Sequence, residues 1–318
     1  MSFKNQIRKI ALKLGIKQYL LPVHEFINKR KAEKYMNTYD PSNTSFGLNT
    51  EKRDFDITVS FTTFPARIKY AVYVADAMLR QTLKPDRVVL VLASDEFASN
   101  ESLPEDYKRL EERGLSIVFA ENLKPHKKYL YTMRNYPGSV IITVDDDVLY
   151  PNDLIETLFH SYMKYPYAVS AMRAHRMLFN GKALLPYNDW GFESAYTDMP
   201  VFDLISTGVG GVLYPPGCMK AKYDILFNET AIRDTCLNSD DIWLKMTELL
   251  CGIPLVLANR KSSDPLLIPD SQKTSLHFSN VDHNYNDKVI RDIMTHLGIC
   301  DEELYKKVCG ITEDDQIG

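Results

Sequence analysis

The sequence is short of the features that mark several common protein classes. Its 318 residues include five cysteines, Cys218, Cys236, Cys251, Cys300 and Cys309. Their number is odd and none lies in a C-x-x-C pair, which argues against a disulfide framework or a structural zinc site and for reduced thiols in a cytosolic compartment. Positive charge is not in excess, because 38 Lys and Arg face 42 Asp and Glu for a formal net charge of −4. With no helix-turn-helix, zinc-finger or RNA-binding pattern either, nucleic acid is not an expected partner. No apolar run is long enough to span a bilayer. Near the amino end, Lys13 and Lys17 interrupt the apolar positions, so no signal-peptide core forms. Glycine is scarce, at 14 residues. The group Gly208, Gly210 and Gly211 lacks the lysine and hydroxyl that complete a phosphate loop. Internal repeats and low-complexity tracts are absent.

What is present is ordinary globular composition, 45% hydrophobic and 25% charged, with length enough for one large α/β domain with appendages or for two domains. The first stretch differs from the rest. Up to about residue 36 the chain carries Lys4, Arg8, Lys9, Lys13, Lys17, Lys29, Arg30, Lys31 and Lys34 against Glu25 and Glu33. Phe3, Ile7, Ile10, Leu14 and Leu21 recur at helical spacing, so this basic helix either lies on an anionic membrane surface or packs on the body of the protein. Pro41, Ser42, Asn43, Ser45 and Gly47 mark residues 37–52 as a linker.

From Asp56 onward short β-branched runs alternate with helical patterns. Strands are expected at Ile57–Phe61, Arg87–Leu92, Ser116–Ala120 and Val140–Val144. Helices are expected at 70–81, 105–113 and 127–135, between the strands. Such alternation predicts an α/β fold, a mostly parallel central sheet joined by right-handed crossovers and flanked by helices. In that architecture ligands bind beyond the carboxyl ends of the strands.

Asp145, Asp146 and Asp147 fall at one such end. Three adjacent carboxylates after a buried strand repel one another and resist desolvation, so they call for a compensating cation. Oxygen ligands favour Mn²⁺ or Mg²⁺, with a diphosphate completing the coordination. On an extended backbone Asp145 and Asp147 face one side and Asp146 the other. The alternative is an acidic loop capping the following helix, which Pro151, Asn152 and Asp153 open.

The segments Ile57 to Ile68, His126-Lys127-Lys128-Tyr129, Thr143 to Asp147 and Tyr150-Pro151 together resemble bacterial GT-A glycosyltransferases of surface (capsular or lipopolysaccharide) polysaccharide assembly. The resemblance spans roughly residues 55–280. It implies a nucleotide-sugar donor, a UDP-sugar by preference, with Asp145 and Asp147 holding Mn²⁺ or Mg²⁺, and a glycan or lipid-linked acceptor. It further implies a body over 49–290, with a donor half at about 55–150 and an acceptor half at about 151–290, between a basic extension (1–48) and a helical tail (291–318). Thr62, Phe64 and Arg67 then lie where the family places its nucleotide, and Lys127, Lys128 and Asp146 join the donor side.

In the second half, Arg173, His175 and Arg176 follow the apolar segment Ala168 to Met172. Either they meet phosphate or acceptor, or Arg173 simply pairs with an acid of the run. Trp190, with Tyr187 nearby, is a candidate platform for a sugar ring, whereas Phe192 reads as core. Gly210 and Gly211 allow close approach of a ligand or simply form a turn. Asp240 and Asp241 open a helix running to about Leu250. Either they cap it, or Asp241, with Asp240 as the fallback, is the general base of an inverting transfer. His277 is a candidate metal ligand by resemblance to other GT-A enzymes. Two other readings compete. One is a haloacid-dehalogenase-type phosphohydrolase, whose nucleophile closes the first strand, whereas three strand-like segments precede Asp145. The other is a non-catalytic sugar-nucleotide-binding scaffold, which needs no base.

Overall fold

The computed structural model describes residues 17–259, 265–271 and 285–310. Phe3, Ile7, Ile10, Leu14 and His277 lie outside those residues. The first element is helix α1 (Lys17–Asn37). It is followed by the alternating series β1 (Ile57–Thr62), α2 (Ile68–Leu79), β2 (Arg87–Ala93), α3 (Asp106–Glu112), β3 (Leu115–Ala120), α4 (Lys127–Asn135) and β4 (Val140–Thr143). β1, β2 and β4 are almost wholly apolar or β-branched and almost wholly buried, as strands covered on both faces must be.

The second half is built of shorter pieces. They are β5 (Val148–Leu149), α5 (Leu154–Lys164), β6 (Val169–Ala171), β7 (Ala174–Arg176), β8 (Phe179–Asn180), β9 (Ala183–Leu184), β10 (Leu204–Ser206) and β11 (Val212–Tyr214). Then come α6 (Tyr223–Leu226), α7 (Glu229–Thr235), α8 (Asp240–Leu250), β12 (Leu255–Leu257), β13 (Leu266–Leu267), α9 (Tyr285–Leu297) and α10 (Asp301–Cys309).

Seven strands form one sheet in the order β12-β6-β11-β4-β1-β2-β3. All neighbours pair in parallel except at β11, which runs against both β4 and β6. The expected α/β fold with a mostly parallel, helix-flanked sheet is therefore what the chain forms. Its first half has the order 3-2-1-4: the chain moves outward from β1 to β3, then returns across the sheet to place β4 on the other side of β1. The reversal opens a crevice between the carboxyl ends of β1 and β4.

Alternation along the strands divides the interior into two cores. Val140 and Ile142 join Ile57, Val59, Phe61 and the buried face of α2 on one side. Ile141 joins Tyr129, Trp243 and the helices of the second half on the other. On that second side β1 presents Thr58 and Ser60, and both are satisfied. Thr58 Oγ1 lies 2.8 Å from Ser139 Oγ, and Ser60 Oγ donates to the Lys128 carbonyl at 2.6 Å. The latter bond pins the first turn of α4 to β1.

The loop from 38 to 56 is tied down. Fully buried Asp76 of α2 accepts from Arg113 Nη1 at 2.7 Å, Arg80 Nε at 2.6 Å and the Tyr35 hydroxyl at 3.3 Å. Arg113 also donates to the carbonyls of Phe46 and Pro41. α1 is thus fixed to the body through Tyr35 and buried Ala32. No described helix is long and apolar enough to cross a membrane.

Candidate functional site

The acids sit where the two halves of the sheet reverse, but not in the geometry expected of an extended strand. β4 ends at Thr143, and Asp146 and Asp147 lie in a turn. Alternation therefore does not sort them. Asp146 and Asp147 share one cation, Arg67 Nη1, at 2.8 and 3.0 Å. Asp145 faces the other way, to Lys128 Nζ at 2.7 Å. Thr63 Oγ1 donates to Asp146 Oδ2 at 2.5 Å. The turn is held from behind: the Asp145 N–H donates to the buried Tyr150 hydroxyl at 2.9 Å, and Ile268 N–H donates to the Asp147 carbonyl at 2.8 Å. Burial raises the Asp146 carboxyl above its usual range, with Arg67 opposing.

Arg67 stands between the β1 loop and the acids, and its guanidinium lies 5.5 Å from the centre of the Phe64 ring. Thr62 turns its hydroxyl into the sheet, donating to Val91 O at 2.6 Å. Lys128 is buried and is an internal counter-ion. Besides Asp145 it meets Asp240 Oδ2 at 3.0 Å. Burial alone would lower its pKa, but Asp145, Asp240 and Asp241 outweigh that and hold it charged. One ammonium therefore joins the acidic turn after β4 to the start of α8.

At that start Asp240 and Asp241 play different parts. Burial works to raise Asp240, but Lys128 and then His126 hold it below the usual range. Asp241 is pushed up to about 8 by burial and by the charge of Asp240. The Gly208 N–H points at its carboxylate, 3.2 Å from each oxygen. Space at Gly208 is tight, since a Cβ would stand 3.0 Å from Asp145 Oδ1 and 3.1 Å from Lys128 Nζ. At Gly210 a Cβ would come within 2.7 Å of Arg173 Cβ. The glycine loop thus packs against Asp145 and Lys128 at Gly208 and against Arg173 at Gly210, and Gly211 takes φ +88°.

The rest of the second-half candidates are held by partners outside the acidic run. Arg173 Nη1 donates to Thr207 Oγ1 at 2.9 Å, and its Nη2 lies 3.5 Å from Glu193 Oε1, not against the acidic run. His175 Nδ1 accepts from the Glu193 N–H at 3.0 Å, and its ring packs edge-on against Phe192 at 4.4 Å. Arg176 pairs with Asp203. Trp190 is buried and its Nε1 donates to Leu185 O at 2.8 Å, which sets the ring into the core. Phe192, read from the sequence as core, is instead 44% exposed. Glu193 beside it adopts φ +50°, a conformation uncommon for a residue with a side chain. Burial, then Asp241, push the Tyr187 hydroxyl up, which puts this aromatic cluster in the field of the buried acid.

Three features escaped the sequence reading. The first is a groove of about 590 Å³ whose lining includes Asp95, Glu121, Asn122, Lys124 and Arg233. Asp95 and Asn122 each lie two residues beyond their strands, β2 and β3, as Asp145 lies two beyond β4, so the strand-end rule applied to every parallel strand would have found them. Lys127 adjoins the groove, 3.5 Å from Asn122 Oδ1, and burial lowers its pKa to about 8. The second is the burial of His126, whose Nδ1 lies 2.9 Å from the Tyr129 hydroxyl and whose Nε2 lies 2.9 Å from Cys236 O. The carbonyl accepts only, so Nε2 carries the proton and Nδ1 accepts. The third is the buried pair Lys245 and Glu248 on α8, 3.6 Å apart. A helical spacing of three was visible, but not that both would be inside.

Among the described residues no group of three or more His, Cys, Asp or Glu side chains is arranged to hold a metal ion. The donor chemistry of Asp145 and Asp147 nonetheless suits a hard divalent cation, and the positions opposite them are taken by cations of the protein itself.

No protein-family model matches the chain, and no curated protein matches it in sequence. Solved structures resemble it loosely. The mannosyltransferase PcManGT from Pyrobaculum calidifontis, in complex with GDP-Man and Mn²⁺, aligns at TM-score 0.46 with 11% identity over 95% of this chain and 77% of its own. Residues 1–349 of S. aureus TarS align at 0.46 with 12% identity over 82% and 77%. 4-Diphosphocytidyl-2C-methyl-D-erythritol synthase aligns at 0.40 with 12% identity over 70% and 97%. A likeness this remote does not reach function.

Proposed function

We propose that the protein is a metal-dependent GT-A-type glycosyltransferase that moves a sugar from a nucleotide-sugar donor to an acceptor hydroxyl. The observation that carries this reading is the joint at Lys128. Its ammonium binds Asp145 at the crevice between β1 and β4 and Asp240 at the start of α8. The donor-side acidic turn and the acidic start of α8, where the candidate base Asp241 follows Asp240, thereby share one cation.

The donor, by preference a UDP-sugar, lies across the crevice. Its base takes the groove beside Asp95 and Asn122, whose side chains offer acceptors and a donor to a nucleobase edge. Thr63, Phe64, Arg67 and Lys127 border its phosphates. Mn²⁺ or Mg²⁺, held by Asp145 and Asp147, would neutralise charge on the departing nucleoside diphosphate. Asp241 accepts the proton of the acceptor hydroxyl as that oxygen bonds to the anomeric carbon. The bond from that carbon to the diphosphate breaks, and its electron pair leaves with the nucleotide. The elevated pKa of Asp241 suits a base near neutral pH, and the Gly208 N–H orients its carboxylate. Arg173, His175 and Phe192 line the acceptor side. The product is an inverted linkage on a glycan or lipid-linked acceptor of bacterial surface polysaccharide, made on the cytosolic side.

A screen of nucleotide sugars for metal-dependent hydrolysis and transfer tests the reading. Asp147→Asn is expected to lose donor turnover altogether. Asp241→Asn is expected to keep donor binding and lose transfer by at least 10²-fold, the usual scale of a general base. Transfer that survives Asp241→Asn removes the base. Release of inorganic phosphate from phosphoesters without a sugar acceptor would favour the phosphohydrolase.

A further inference from the structure

Charge is divided unevenly along the chain. Residues 1–36 hold nine Lys and Arg and two Glu, a net of +7 in a chain whose total is −4, so residues 37–318 carry −11. Over residues 26–37 of α1 the cations Lys29, Arg30, Lys31 and Lys34 are all exposed, with Glu33 the one acid among them. Phe26 and Ile27, on the adjoining turn, are 56% and 46% exposed, and Arg30 lies over the Phe26 ring at 4.9 Å. Large apolar side chains left in water beside a cluster of cations match the headgroup region of an anionic bilayer. There rings enter the interface while basic side chains reach lipid phosphates. An acidic protein surface would satisfy the cations but leave Phe26 and Ile27 unexplained.

The helix is not a loose tether. Buried Ala32 and the Tyr35 bond to Asp76 fix it to α2. α1 also packs against β13, which pairs with β5 directly after the acidic turn, and Ile268 N–H holds the Asp147 carbonyl. The element that carries these cations is thereby linked through β13 to the acidic turn.

We propose that α1 adsorbs to anionic lipid through Phe26, Ile27, Lys29, Arg30, Lys31 and Lys34 and so presents the crevice to the bilayer, where the acceptor is carried on a lipid. The adsorption stands on α1 alone, whereas the lipid-borne acceptor rests on the glycosyltransferase reading.

The test is co-sedimentation of the full chain with phosphatidylglycerol vesicles and with phosphatidylcholine vesicles, combined with hydrogen exchange. Binding is expected to phosphatidylglycerol only and to fall steeply in 0.5 M salt. Each surface cation contributes about fivefold to partitioning, so Lys29→Gln/Arg30→Gln/Lys31→Gln is expected to weaken it roughly 100-fold. These side chains are exposed, and unchanged circular dichroism verifies the fold. Phe26→Ala/Ile27→Ala is expected to weaken binding as well, which a purely electrostatic contact would not show. On vesicles, exchange should slow at residues 26–34 and 266–268 and stay unchanged at 301–309. No binding to phosphatidylglycerol, or equal binding to both lipids, overturns the adsorption. So does sedimentation velocity showing that the triple variant abolishes self-association instead. Slowing at 26–34 alone overturns the orientation. Nucleotide-sugar hydrolysis in detergent-free buffer without vesicles is expected to be the same in the variants, so loss of the glycosyltransferase reading and loss of this one are told apart.

Discussion

Asp241 is a carboxylate surrounded by burial, a neighbouring acid and one shared ammonium, and its behaviour with pH follows from that company. Free-enzyme kcat/KM for transfer is expected to rise with pH and level off above about 8, the value to which Asp241 is pushed. Lys128 favours the charged form of Asp241, so Lys128→Met should move the rise to higher pH. A profile that does not move separates Lys128 from the base. The residue types at this site were visible in the sequence: three adjacent acids after an apolar run, two lysines before it, two acids opening a helix. Their partners were not. Arg67 was placed against base or phosphate and Lys128 against diphosphate, yet both neutralise acids of the protein. Ion pairing across 79 residues for Arg67 and Asp146 is set by tertiary packing, on which local pattern is silent. Aromatics failed for the same reason, since Trp190 and Phe192 differ in burial, not in pattern.

At the scale of elements, the acids are positioned by β4. Its backbone pairs with β1 on one side and β11 on the other, and Ile142 packs with no exposure into the α2 side of the interior. Ile142→Ala is expected to destabilise the protein by about 3 kcal/mol, read from chemical denaturation, as large-to-small changes in such cores do. A loss below about 1 kcal/mol would mean that β4 is not a rigid support for the acids. The first-half strands were legible to within a residue or two, because β-branched runs between helical patterns admit little else. The second half was less so. β6, β10, β11 and β12 are three residues each. A run that short reads the same in either direction, which is why the reversal of β11 was not foreseen. Extended backbone would put Asp145 and Asp147 on one side, but β4 ends at Thr143, and the turn instead groups Asp146 with Asp147.

For the whole molecule, the order 3-2-1-4 decides where a ligand can bind, and α/β alternation in the sequence already implied a crevice at the strand ends. It did not imply that α8 would return to the same crevice, because that depends on how seven strands and the glycine loop pack. The central claim is that the crevice holds a nucleoside diphosphate through a divalent cation on Asp145 and Asp147. Calorimetric titration of nucleoside diphosphates, with UDP first, into wild type and Asp147→Asn, with Mn²⁺ and with EDTA, measures it most directly. Binding by wild type that needs Mn²⁺ and falls at least tenfold in Asp147→Asn is the predicted result. Binding that is equally strong in EDTA and in Asp147→Asn, or no binding of any nucleoside diphosphate, would contradict it.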